Sequence, residues 1–340
     1  MKYAELVQRI VGAALKEGLV DGVLAFSHGV SVTDVVPAMV IEEQDAGKIT
    51  VVSCQPCSLV KLAKEYKGRS GKLGLVVRSC DARAMIELAK RKQVDLDDFY
   101  LIGVGCYGVV RQPEGELYVF ADEIELDGQK KPLDRAMLSP NCLRCEYPVP
   151  TMADVSCGFD GGGASWAVAN TEKGRTLLSA AGIEPQETDR DASADRERAI
   201  RQQEEEFGGI WAMEPAERRR HWFSQLEKCI KCYGCRNSCP ICYCDDCYLG
   251  PERILVGREE YPPAKLFHVA RLIHMGDSCV NCGQCEAACP MDIPVSSLFH
   301  MMSKELGSIF KYEAGMDLSS PPPMCTIDEE DLVKGGVDLD

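Results

Sequence analysis

The stretch CIKCYGCRNSCP (229–240) returns as CVNCGQCEAACP (279–290). Each reads Cys-x2-Cys-x2-Cys-x3-Cys-Pro. With this spacing three cysteines wrap one 4Fe-4S cluster, and the fourth goes to the other cluster. Ligation therefore crosses between the copies. Cys229, Cys232, Cys235 and Cys289 are expected to hold one cluster, and Cys279, Cys282, Cys285 and Cys239 the other. Iron in a cubane takes four soft thiolates. Gly234 and Gly283 are expected where backbone must come close to a cluster. Zinc would need two Cys-x2-Cys pairs per site, which two triplets plus Cys-Pro do not supply. A chain that builds two such clusters moves electrons one at a time.

The insert between the copies carries Cys242, Cys244 and Cys247 in ICYCDDC (241–247). Three thiols without a fourth nearby read as packing or shielding. Asp245 and Asp246 argue against another soft-metal site there.

The chain has 340 residues, of which 45% are hydrophobic, enough for two or three domains each with a core. Nineteen cysteines clustered as Cys-x2-Cys suit metal ligation better than a disulfide framework. The opening MKYAELVQRIVGAALKEGLV lacks the pattern of a signal peptide. No run approaches the roughly 20 apolar residues of a membrane span. Both points lead to an expected cytoplasmic setting, where thiols stay free for metal. A net charge of -15 argues against nucleic acid or anionic membrane as the main partner.

Apolar spacing predicts a helix over 3–17. VDGVLAF (20–26) and KITVVSC (48–54) read as buried strands and SLVKLAKEY (58–66) as a helix. LGLVV (73–77) is an expected strand, ARAMIELAKRK (82–92) a helix and YLIGVGC (100–106) a strand. Such alternation points to a largely parallel sheet, which collects ligands at its carboxyl edge. Cys54, Cys57, Cys80 and Cys106 all fall at or after strand ends. β structure is expected over 116–126. A short strand running into a flexible loop follows over 153–163, then a strand, a turn at Lys173-Gly174 and a helix. SCDARA (79–84) reads either as a turn facing a phosphate or as a helix capped by Asp81. The charged segment 184–206 is expected to be an exposed helix or linker. EPAERRRHWFSQLEK (214–228) is a helix leading into the cysteine module, and the tail after 316 is extended. The fold class is thus α/β or α+β. An α/β domain (1–183) is followed by a linker (184–213), a dicluster ferredoxin domain (214–315) and an acidic tail (316–340).

Outside the ferredoxin runs, SCQPCSLVKLAKEY, LIGVGCYG, NCLRCEYPVPTMADVSCG and GGGASWAVANTEKGRTLL form an ordered series. This series resembles the coenzyme F420 hydrogenase/dehydrogenase beta-subunit family over about residues 20–180. Its most specific pieces are Pro56-Cys57, Gly105-Cys106, Cys142-x2-Cys145, and Ala153-Asp154-Val155-Ser156 followed by Trp166. The resemblance implies a further 4Fe-4S cluster on Cys57, Cys106, Cys142 and Cys145, with Cys54 a rival for Cys57. It also implies bound FAD near Asp154, Ser156, Gly158, Gly161, Gly162 and Trp166. No G-x-G-x-x-G follows the first strand, so no dinucleotide fingerprint supports the flavin. Cys80, Cys157 and Cys325 are expected to be free thiols.

The expected role is that of an iron–sulfur flavoprotein subunit. It would relay electrons between F420 or a nicotinamide and a catalytic partner, which is a formate dehydrogenase, hydrogenase or heterodisulfide-reductase-like complex. A flavin-free adaptor wired by clusters alone is the alternative.

Overall fold

The computed structural model describes residues 2–30, 34–55, 57–66, 71–110, 117–120, 123–159, 165–186, 192–250 and 263–325, with backbone alone for Phe120 and Cys325. Helix α1 (Tyr3–Lys16) opens the chain and buries Leu6, Val7, Ile10 and Val11 on one face. Strands β1 (Gly22–His28) and β2 (Val35–Val40) follow, then α2 (Val60–Lys64), β3 (Leu73–Val77), α3 (Ser79–Lys90) and β4 (Phe99–Val104). A small meander comprises β5 (Leu117–Phe120), β6 (Glu123–Leu126) and β7 (Gln129–Pro132). Its second turn holds Asp127 and Gly128 at φ 49° and 79°, the left-handed pair of a type I′ hairpin. A single turn α4 (Pro140–Leu143), strands β8 (Val155–Phe159) and β9 (Ser165–Ala169) and helix α5 (Glu172–Ala180) complete this part.

The main sheet runs β2-β1-β3-β4-β8-β9. Its four inner strands are parallel and its two edges antiparallel. The parallel strands are buried on both faces, as their unbroken apolar runs require. Val23, Ala25, Val76, Ile102 and Val155 share one core with α1, and Leu177 and Leu178 of α5 join it. Leu24, Phe26, Leu75, Val77 and Leu101 face the opposite side, against α2 and α3.

This second core continues into the C-terminal helices. These are α6 (Ser193–Trp211), α7 (Pro215–Leu226), single turns α8 (Gly234–Asn237) and α10 (Gln284–Ala287), α9 (Ala264–Met275) and α11 (Val295–Phe310). Phe207, Trp222, Phe267 and Phe299 belong to the same cluster as Leu75 and Met85. Packing therefore does not part at residues 183 or 213. Among the described residues no helix is long and apolar enough to cross a membrane.

Three expectations are corrected. Residues 48–54 form no strand. Ile49 makes one bridge to Ser27, and Thr50 N–H donates to Phe26 O at 2.9 Å. The edge position goes instead to β2, where Pro37 is tolerated because an edge strand has one unpaired side. The charged segment is helical from Ser193 onward, but it is not free. Ala199, Gln203 and Phe207 are buried, and the Gln203 amide donates to Arg144 O at 3.1 Å. Its charges line one side of a helix whose other side packs. Helix α3 begins at Ser79, three residues earlier than expected. Asp81 caps it, accepting from Arg78 N–H at 3.3 Å, which settles the Asp81 alternatives in favour of the cap.

α3 is the seam of the assembly, because its two sides face different modules. Glu87 is completely buried. Its carboxylate accepts from the Tyr312 hydroxyl at 2.6 Å, Gly315 N–H at 2.7 Å, Lys90 at 3.1 Å and Arg91 at 2.9 Å. Arg83 donates to Ala314 O at 2.9 and 2.7 Å, and Arg91 reaches Asp277 at 3.4 Å. Burial alone would raise the Glu87 pKa; the Tyr312 hydrogen bond and Lys90 outweigh it and hold the carboxyl below its ordinary range. A depressed carboxyl stabilises the fold above its unfolded pKa, and that stability is lost as pH falls through the folded value. Breaking a buried ion network by removing one partner costs about 3–5 kcal/mol. Glu87→Gln is therefore expected to lower unfolding free energy by about that amount at neutral pH. Urea unfolding followed by tryptophan fluorescence checks it, and the difference from the parent should shrink in acid.

Candidate metal centres

The first cysteine run wraps a small cavity. Cys229, Cys232, Cys235 and Cys289 all line it, together with Tyr233, Phe267 and Ile293. The three thiols of the first loop and the last thiol of the second thus share one enclosure, as cross-ligation requires. In the second run burial raises the thiol pKa values, Cys279 adds to this at Cys282, Cys282 and Cys279 add to it at Cys285, and Cys282 acts on Cys239. The two loops share a backbone solution. Lys231 and Tyr233 have φ of 53° and 60°, and their counterparts Asn281 and Gly283 have 55° and 73°. At Gly234, expected at a close approach to the cluster, a Cβ would lie 2.7 Å from Ala288 O and 3.6 Å from Cys232 Sγ, so this glycine lets the two halves pack.

Arg271 of α9 reaches between these loops, and no motif announced it. It is 3% exposed, and its guanidinium donates to Cys235 Sγ at 3.1 Å and to Cys235 O at 3.1 Å. Phe267 and Phe299 stack on it at 5.8 and 5.0 Å. Burial disfavours its charge, but the thiols of Cys242, Cys235, Cys239 and Cys285 outweigh this and raise its pKa. A permanent cation therefore faces both thiol loops.

At the carboxyl edge of the sheet a second thiol group gathers. Cys106 follows β4, and Cys142 and Cys145 bracket the end of α4. Cys106 acts electrostatically on both of the others. Burial pushes Cys142 and Cys145 up to about 12. Such thiols give up their protons only when a cation or metal stabilises the thiolate. Arg78, at the end of β3, supplies one cation. It pairs with Asp81 at 2.9 Å and donates to Cys57 O at 2.8 Å.

Cys57 is thus placed beside Arg78 and Asp81. Cys80, expected to be a free thiol, is half-buried within the electrostatic reach of both Cys282 and Cys106. Cys54 borders a cavity shared with Cys142 and Cys282. Cys157 packs in the α1 core, as a free thiol would.

A reciprocal clasp joins the two thiol groups. The Asn141 amide donates to Asn281 O at 3.3 Å, and the Asn281 amide donates to Asn141 O at 2.9 Å. These residues directly precede Cys142 and Cys282. A Cβ on Gly283 would lie 2.0 Å from the Asn141 side chain, so only glycine lets the loops come this close.

The hairpin residues expected at a flavin brace the fold. The Asp154 carboxylate accepts from Leu101 N–H at 2.8 Å and from the Thr171 hydroxyl at 2.6 Å. Ser156 donates to Pro150 O at 3.1 Å and accepts from Asn170 at 2.8 Å. Trp166 lies against Gly158, where a Cβ would meet its ring at 2.2 Å. Gly161 and Gly162 lie outside the described residues, as does the Cys325 side chain.

Among the described residues no three His, Cys, Asp or Glu side chains are drawn tightly enough to share one metal ion. The thiols ring cavities instead.

Residues 113–188 match the family model for the C-terminal region of the coenzyme F420 hydrogenase/dehydrogenase beta subunit. Residues 228–294 match a 4Fe-4S dicluster domain. The beta subunit of the F420-dependent formate dehydrogenase of Methanocaldococcus jannaschii is 31% identical, covering 91% of this chain and 90% of its own length. That of the F420-dependent formate dehydrogenase 1 of Methanococcus maripaludis is 34% identical over the same shares, 91% and 90%. A polypeptide of the F420-reducing NiFe hydrogenase complex of Methanosarcina barkeri is 17% identical with a TM-score of 0.44, covering 66% of this chain and 86% of that one. The chain therefore belongs to the coenzyme F420 hydrogenase/dehydrogenase beta-subunit family, as an iron–sulfur oxidoreductase subunit of the F420-dependent formate dehydrogenase beta type.

Proposed function

We propose that this protein relays electrons between a hydride carrier, F420 or a nicotinamide, and the catalytic subunit of a formate dehydrogenase. A hydrogenase or a heterodisulfide-reductase-like complex is the other class of partner. The observation that carries this reading is the clasp of Asn141 on Asn281, which joins the loop of Cys142 to the second ferredoxin loop.

Bound FAD would exchange electron pairs with the hydride carrier and pass them on singly, which iron–sulfur clusters require. The carboxyl edge of the parallel sheet is where such a ligand belongs. The β8–β9 connection, with Gly161 and Gly162, leaves the sheet at that edge after Phe159. Asp154, Ser156, Gly158 and Trp166 would position that connection rather than touch the flavin. The same commitments favour a second reading, a flavin-free adaptor, because the described hairpin already uses its polar atoms internally.

Cys57, Cys106, Cys142 and Cys145 would hold the sheet-edge cluster, with Arg78 offsetting its charge. The position of Cys80 favours it as the rival of Cys57. Cys229, Cys232, Cys235 and Cys289 would hold one ferredoxin cluster, and Cys279, Cys282, Cys285 and Cys239 the other. The Arg271 guanidinium stabilises added negative charge on both, and so raises their reduction potentials.

Three measurements test this. The anaerobic complex is expected to show a flavin absorption band that reduced F420 or a reduced nicotinamide bleaches. No flavin, even after incubation with FAD, leaves only the adaptor. Cys142→Ala is expected to remove one cluster signal in electron paramagnetic resonance and spare the ferredoxin pair. Cys57→Ala and Cys80→Ala, compared in the same way, decide the fourth ligand. Arg271→Gln is expected to shift the ferredoxin potentials downward in a redox titration; unchanged potentials would remove Arg271 from the relay.

A further inference from the structure

The insert after the first cysteine run has no place in the cross-ligated pair, yet it is firmly held. Ile241 and Leu249 are each 2% exposed and anchor its two ends. Lys64 of α2 pairs with Asp245 at 2.9 Å and also bonds Tyr243 O. Gly250 N–H closes a turn on Cys247 O at 2.8 Å. Between these anchors, Cys242, Cys244 and Cys247 all line one cavity of about 350 Å3, with His274 on its wall. Packing accounts for only part of this group. Cys242 and Cys247 border the core, Cys242 against Met275 Sδ at 3.6 Å. Cys244 is exposed and neither fills a core nor excludes water.

The surroundings suit an anionic thiolate centre. Lys61, Arg236 and Arg271 line the same cavity. The one acidic side chain whose partner is defined, Asp245, is drawn away to Lys64. The three thiols do not close on a point, as a single zinc ion would require. They border a space, as the thiols of the first ferredoxin loop do. Three thiolates leave one corner of a cubane for another donor, and His274 lines the same cavity. The Cys242 thiol also neighbours that of Cys239, a proposed ligand of the second ferredoxin cluster.

We propose that Cys242, Cys244 and Cys247, with His274, hold a further 4Fe-4S cluster. It lies at the surface end of the ferredoxin pair, where Cys244 meets solvent. It gives electrons a short exit to a docked partner. The assignment goes beyond the relay proposed above and does not depend on the flavin.

The test uses the full-length protein purified without oxygen. Cys244→Ser and Cys247→Ser are each expected to lower iron and acid-labile sulfide by about four atoms per chain, with the ferredoxin signals retained. Independently, iodoacetamide applied to the iron-loaded parent should spare Cys244 and Cys247, and should modify both after a chelator strips the iron. The proposal is overturned if both variants keep the parent's iron. It is equally overturned if Cys244 is alkylated in the iron-loaded protein, or if the site holds zinc. Because the labelling arm needs no variant, poor folding of a substituted chain leaves the decision intact.

Discussion

The buried carboxylate of Glu87 fixes everything else in place. Clusters that exchange single electrons must keep a constant separation, whereas two domains joined by a linker move relative to one another by default. Here helix α3 removes that freedom. Its apolar side completes the core under the parallel sheet. Arg83, Glu87 and Arg91 on its other side bond the chain segments that flank the second cysteine run. The cost of burying these charges is offset only if every partner stays in place. The seam therefore has the character of a core and not of an interface.

A second constraint is electrostatic. The half-buried thiols of Cys142, Cys145 and Cys282 resist ionisation, each with its pKa pushed up by burial to about 12. The fold answers with guanidinium groups rather than lysines. Arg78 serves the sheet edge and Arg271 the ferredoxin loops. Guanidinium keeps its charge on burial and presents several donors in a fixed plane, so one side chain can bond both a sulfur and a carbonyl. Arg271 does this at Cys235. The chain is strongly acidic overall, yet the charges nearest its thiol loops are positive.

How much of this was legible in the sequence follows from how local each signal is. The cysteine spacing encodes its own loop, so the crossed grouping of Cys289 with Cys229, Cys232 and Cys235 could be read directly. The alternation of strands and helices gave the parallel sheet. Signals that depend on tertiary contact were out of reach. Arg271 and Arg78 look like ordinary surface residues until the fold buries them. Nothing in the sequence around Asn141 and Asn281 tells that each will bond the other's backbone. The charged run 184–206 hid a packed face, because Phe207 alone cannot set a period. Residues 48–54 carry a strand's composition, but the edge of the sheet was already taken by Val35–Val40. The left-handed position at Tyr233 runs against side-chain preference, so the sequence carried no sign of it.

The central claim is that the sheet-edge thiols and the ferredoxin pair form one relay held at contact distance by the Asn141–Asn281 clasp. The most direct measurement is electron paramagnetic resonance of the fully reduced, anaerobic protein. Adjacent reduced clusters couple through their spins. The clasp predicts a broadened, interacting spectrum that collapses to the simpler ferredoxin pattern when Cys106 is replaced by Ala. A reduced spectrum that is the plain sum of independent clusters, unchanged in that variant, would contradict it.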